Sequence, residues 1–345
     1  MSSTKTRFSF APGDVCRRLK FFSAALLLFI VAHGAATPSF GQTAPNKLIV
    51  TAAGARLRER PETAAPEVGR LQLGSVVDEL ERSAEKSKVG TSESFWHRVA
   101  APGDARGWVF GGLVAPFDPV RRDDIYLKLT SDRLANTSAT FADLSELVRF
   151  LDRATREVKS RNALAELELA RLGALARSLA AMPFQELDQQ PYKTWTDERE
   201  KEIVYSDPAG QWYVNSERFW DLQRKYAGLP VAERAAWEAS QTPLPGECEG
   251  YLPCHIYRES ESNGRYLKLY PRGAHADAAL SNLAESLGYV VEDLRGSNPV
   301  FEVPPDDRAN FRQSLATLRA QLAQVPVAKK ARVTGQLDAI AKRFP

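Results

Sequence analysis

The period of the apolar residues changes once along this chain, and that change constrains the fold most. Between residues 47 and 117 the hydrophobic residues come in short runs. They are KLIVT from 47, LRERP at 57–61, EVGRLQLG at 67–74, SVVDELER at 75–82, FWHRVA at 95–100 and GWVFGGLV at 107–114. Gly, Pro and Ser/Lys clusters separate them, which is the pattern of a compact all-β module. From 141 to 182 the apolar residues instead recur every three or four positions with no internal proline, the pattern of amphipathic helices. The predicted class is multidomain α+β, with a small β-barrel at 47–117 and a mainly helical domain of hairpins at 141–345. The stretch between, 118–140, reads as a linker, PFDPVRRDD, followed by mixed sequence with one short strand at IYLKL.

The N-terminus has the layout of a secretory signal. Lys5, Arg7, Arg17, Arg18 and Lys20 precede an apolar run from Phe21 to Ala32, and small residues follow it. That run is short of the ~20 apolar residues that span a bilayer. Cleavage after residue 41 and retention as an anchor are both open, and membrane association is expected only through this segment. The signal takes five of the 46 basic and one of the 43 acidic residues, leaving 41 and 42, a net charge of −1. No basic field then remains to argue for nucleic acid. An exported chain, periplasmic or secreted, is the expectation.

Cys248 and Cys254 are the two cysteines beyond the signal, and they bracket the loop CEGYLPC. An even count in an exported chain points to a disulfide. Closing so short a loop stabilises by roughly 2 kcal/mol in the chain-entropy treatment. A metal reading with His255 puts Cys and His side by side and lacks a fourth ligand. No metal or other cofactor is expected.

Over residues 47–117 the sequence resembles the bacterial SH3-like family. The residues that carry this are Leu57, Arg58 and Pro61, then Val68, Leu71 and Gly74, then Val77 and Leu80. Trp96 with Val99 follows, and last come Gly107, Trp108, Val109 and Leu113. Arg60 stands where many members have Gly, and the polar stretch 83–94 exceeds a minimal hairpin loop. The resemblance implies a small barrel that binds peptide or cell-wall ligands. Trp108 and Val109 are core candidates, since large side chains fill a small barrel. Phe95 and Trp96 have two open readings, packing residues or a flat platform at the rim for a peptide or sugar ring.

In the helical part, two consecutive helices are expected to break near Ser160–Asn162, the first capped by Asp143 or Ser145. Further on the sequence echoes itself. Tyr226 precedes AGLPVAERAA and Tyr270 precedes PRGAHADAAL, and a weaker copy at 325–332 has Leu322 in the tyrosine position. The unit reads as the end of a helix, a Pro/Gly turn, and a helix starting with small residues, the way helical hairpins share a core. The segment is similar to tetratricopeptide-like hairpins, though its spacing departs from the 34-residue period. Between residues 192 and 237 aromatics are dense. Trp195, Trp212 and Trp220 either line a groove or anchor the helical core.

His97, His255 and His275 fall in no metal-ligand spacing and no nucleophile motif, and no Gly-rich phosphate loop follows a strand. The expected function is therefore a non-catalytic binding or adaptor protein of the cell envelope that recognises peptide or peptidoglycan. Two alternatives stand beside it, a scaffold acting through the helical hairpins toward an envelope protein, and a cell-wall enzyme with a spatially assembled acid pair.

Overall fold

A computed structural model describes residues 46–345 apart from residue 104; the expected signal at 1–41 lies outside them. Nine strands come first: Lys47–Val50 (β1), Ala55–Arg58 (β2), Glu67–Leu71 (β3), Val76–Arg82 (β4), Ser87–Val89 (β5), Ser92–Ser94 (β6), Trp96–Ala100 (β7), Arg106–Phe110 (β8) and Val114–Pro116 (β9). Seven of them make one antiparallel sheet in the order β3-β2-β8-β7-β4-β1-β9. Strands β5 and β6 form a separate hairpin, so the polar stretch 83–94 is an ordered ribbon rather than a loose loop. Register shifts in β2 and in β4 mark bulges, which increase local twist. The sheet stays open, with β3 and β9 as its edges; it is not the closed barrel that the sequence led us to expect.

Strand alternation explains how this sheet is covered. One face collects Leu48, Val50, Ala55, Leu57, Leu71, Val77, Val99 and Val109 into a core of its own. On β1 the intervening Ile49 points the other way and joins the core of the helical region, as do Leu73 and Phe117. A strand buried on both faces loses its polar alternation, which accounts for the run Leu48–Val50. Val109 is fully buried as expected, whereas Trp108 is only partly so and the neighbouring Phe110 takes the core position.

Residues 122–134 correct the linker reading. They form a helix, Arg122–Leu134 (α1), entered through a short turn that Asp118 caps by accepting from the Val120 N–H at 2.9 Å. IYLKL lies inside α1, not in a strand. Tyr126, Leu129 and Thr130 are its buried residues, at the spacing of a narrow helical stripe. Then come Phe141–Glu157 (α2) and Arg161–Ala180 (α3). Thr140 caps α2 in a capping box, with Asp143 as the reciprocal partner rather than the cap, and Ser160 caps α3 at the expected break. After Tyr192–Asp197 (α4) a small hairpin forms from Ile203–Ser206 (β10) and Gln211–Val214 (β11).

The rest is helical: Ser216–Lys225 (α5), Pro230–Gln241 (α6), Leu252–Glu259 (α7), Arg265–Leu269 (α8), Ala276–Asp293 (α9), Arg308–Gln321 (α10) and Val327–Arg343 (α11). A π turn at Ser260–Gly264 joins α7 to α8. Tyr226, Tyr270 and Leu322 occupy the C-caps of α5, α8 and α10. The sequence echo is therefore a structural repeat of three helical hairpins. Its small residues are where close packing needs them: Ala232, Ala235, Ala276 and Ala279 are all buried. The hairpins stack in parallel. Arg265 donates to Glu217 and Gln223 to Tyr270, at separations of 48 and 47, while Lys329 meets Asp277 and Gln336 meets the Ala284 carbonyl, both at 52.

Candidate functional site

The broadest concavity among those described lies where the sheet meets the start of α1. It is about 720 Å³, and its walls include Lys47, Glu79, Arg82, Phe95, His97 and Arg121. At its floor His97 Nδ1 is 2.7 Å from Glu79 Oε1, both side chains being about 15% exposed (15% and 16%). Asn46 Nδ2 donates to the other Glu79 oxygen at 3.3 Å, so the carboxylate is oriented from two sides. Gly111 closes this floor and has to be glycine. A Cβ there would run into Phe95 O at 2.7 Å and His97 Nε2 at 2.9 Å, closer than carbon tolerates.

Phe95 is half-buried at the rim. The Arg82 guanidinium lies 5.0 Å from its ring centroid and the Lys86 ammonium 5.7 Å, within cation–π range. The ring thus presents two cations rather than a bare platform. Neither cation has a carboxylate within ion-pair distance among the described residues, unlike Lys47, which is paired to Asp78 at 2.6 Å. The hairpin β5–β6 brings Lys86 back beside Phe95, a placement that no local sequence signal carries.

The other predicted site residues are elsewhere and mostly buried. Trp96 is 3% exposed and packs edge-on against Phe110; side chains alternate across a strand, so it points away from Phe95. The same alternation puts His97 on the Phe95 side, which the sequence reading overlooked. Trp195 and Trp220 are each 1% exposed. Trp195 Nε1 donates to Ser178 Oγ at 3.1 Å under the Arg199 guanidinium, and Trp220 lies under Arg265. Both are anchors of the helical core, and Trp195 also reaches the wall of a concavity of about 430 Å³ beside Phe141, Arg149 and Pro191. Trp212 is half-buried on β11 against Tyr205.

A second concavity of about 420 Å³ gathers Glu168, Glu202 and Asp221 beside Arg171, Arg218 and Lys225. Each carboxylate is ion-paired: Lys225 to Glu168 at 2.7 Å, Arg171 to Glu202, and Arg224 to Asp221. Burial works to raise the Glu202 pKa, but the hydrogen bonds and charge of Arg171 outweigh it and hold the carboxyl below its ordinary range. Acid–base hydrolysis needs one carboxyl pushed up and kept protonated, and Glu202 is shifted the other way.

Among the described residues no group of three or more His, Cys, Asp or Glu is placed to hold a metal ion, and no helix is long and apolar enough to cross a membrane. Cys248 and Cys254 form a disulfide, with Cα atoms 5.4 Å apart. Comparison of the chain with family models, with curated proteins and with solved structures found no match.

Proposed function

We propose that this chain is an exported binding protein of the cell envelope whose N-terminal sheet is an SH3-like recognition module for carboxylate-bearing peptide, such as the peptide elements of peptidoglycan. The observation that carries this reading is the pair of cations, Arg82 and Lys86, that have no carboxylate partner among the described residues and are displayed on Phe95 at the rim of the 720 Å³ groove. A ligand carboxylate supplies the missing counter-charge, and the ring excludes water from that contact. The polar floor of His97 and Glu79 offers hydrogen bonds to a peptide backbone. The helical hairpins serve as the adaptor part. Stacked hairpins present an extended face to a protein partner, and the parallel stacking of α5–α6, α7–α9 and α10–α11 favours that use.

The test is retention on purified sacculi. The full chain is expected to sediment with them, and Arg82→Ala/Lys86→Ala to be released at least tenfold more readily, with both proteins showing the same thermal transition. Equal retention of the two proteins overturns the role of the groove.

A further inference from the structure

We propose that the Cys248–Cys254 disulfide is a redox-exchangeable site that accepts electrons from a dithiol, with Cys248 the thiolate released first. The two sulfurs have different surroundings. Cys248 is buried at 9% exposure, whereas Cys254 is more accessible. Arg258 Nη1 lies 4.0 Å from Cys248 Sγ. The same guanidinium donates to the Gly246 carbonyl at 2.8 Å and to the Leu244 carbonyl, so it is fixed beside the sulfur. No carboxylate sits within ion-pair distance of Arg258 among the described residues, which leaves its charge for the sulfur.

Cys254 is the third residue of α7, which starts at Leu252 and continues through the π turn into α8. Its sulfur therefore belongs to the first turn, at the positive end of the peptide dipoles. An adjacent guanidinium and a helix N-terminus each stabilise a thiolate. A disulfide whose reduced form is stabilised is the stronger oxidant, and a better leaving thiolate departs faster. Charges of the opposite sense come from Glu247 and Glu249 in the same loop; both are exposed, where solvent screens them. His255 is engaged through Nε2 with the Glu249 carbonyl at 2.8 Å.

The reaction balances as two thiol–disulfide exchanges. A thiolate of the dithiol attacks Cys254 Sγ, the Cys254–Cys248 bond breaks, and its electron pair leaves on Cys248 Sγ beside Arg258. The second thiol of the reductant, its proton lost to water, attacks its own sulfur in the mixed disulfide and expels the Cys254 thiolate. The reductant ends as a disulfide and this chain has gained two electrons. The loop then loses its staple. Its remaining ties to the segment between α9 and α10 are the bonds of Glu302 N–H to Gly250 O and of Leu252 N–H to Glu302 O, at 2.9 and 3.0 Å, and that of the Tyr251 hydroxyl to Asp307 Oδ2 at 2.7 Å.

The test equilibrates the full chain in graded ratios of reduced to oxidised glutathione and dithiothreitol, followed by acid quench, alkylation and mass measurement. Arg258→Met is expected to shift the equilibrium at least tenfold toward the disulfide, equivalent to about 30 mV, and Arg258→Lys to stay near the parent. In the reduced parent, Cys248 is expected to alkylate at thiolate rates at pH values well below the ordinary thiol pKa of about 8.5. A parent disulfide that resists excess dithiol overturns the proposal. So does a midpoint unchanged in Arg258→Met, or Lys and Met variants shifted equally, since bracing of the loop and not charge would then be the cause.

Discussion

At the scale of single residues, the tightest constraint is Gly74. Its φ is +77°, in the left-handed region, and a Cβ there would overlap the ring of Phe150 on α2. A side chain at that φ costs roughly 1–2 kcal/mol and overpacking a further 1–3, so Gly74→Ala is expected to lower stability by about 2–5 kcal/mol in urea unfolding. Phe150→Leu makes room, and the double variant should lose less than the sum of the two single ones. Strict additivity would show that the ring is not what the new methyl meets. Glu146 is a second pivot. Its carboxylate accepts the Leu73 N–H at 2.6 Å and the Gly54 N–H at 2.9 Å. Hydrogen bonds to a charged group contribute about 1.5–3 kcal/mol each, so losing both in Glu146→Ala is expected to cost about 3–6 kcal/mol by the same measurement. A loss under 0.5 kcal/mol would mean that water replaces the carboxylate freely.

At the scale of elements, what was legible in the sequence was what local period encodes. The strands of 47–117 follow from alternation, and the repeated hairpins from Tyr226, Tyr270 and Leu322, because a helix end, a Pro/Gly turn and small residues act over a dozen positions. Helix α1 was missed since its stripe is only Tyr126, Leu129 and Thr130 among charged neighbours, and Ile125 and Leu127 read equally well as strand residues. The groove was half legible. Phe95 and His97 share a face by alternation, but Glu79 and Arg82 reach them only through the pairing of β4 with β7. The burial of Trp195 was one of two readings the sequence left open, and the contact that decides it depends on α4 folding back on Ser178 of α3.

The contact of α2, α3 and β10 also fixes a pH response. Arg171 bridges Asp152 of α2 and Glu202 beside β10, and Arg199 reaches Asp152 at 3.2 Å. The Glu202 pKa is lower in the folded chain than in the unfolded one, so its contribution is present above the unfolded value and disappears as pH falls through the folded value. Glu202→Gln is expected to cost about 1–3 kcal/mol at neutral pH and to flatten the acid limb of the stability profile. An acid limb as steep as the parent's would assign that limb to other carboxylates.

At the scale of the whole molecule, the sheet and the hairpins share their interior. Ile49, Leu73 and Phe117 are buried in the same apolar cluster as Phe150, Trp195 and Leu337, and Arg153 of α2 donates to the Leu73 carbonyl at 2.8 Å. The sheet is thus not a bead on a linker, and the change of period at residue 117 marks a change of secondary structure inside one core. The groove gains from this. Phe117 and Arg121 belong to the approach to α1 and Ile125 to its first turn, and yet they line the same concavity as His97, so its shape depends on the helical part holding α1 against the sheet. A cluster this continuous unfolds as one unit when no interface within it is weaker than the rest. The full chain is therefore expected to show one transition, with tryptophan fluorescence and far-ultraviolet dichroism superimposing through urea. Phe150→Ala removes a fully buried ring at the boundary and is expected to move both curves together by about 3–5 kcal/mol. If the dichroism curve kept its midpoint while fluorescence shifted, the sheet and the hairpins would be separate cooperative units, and the groove would not require α1 for its shape.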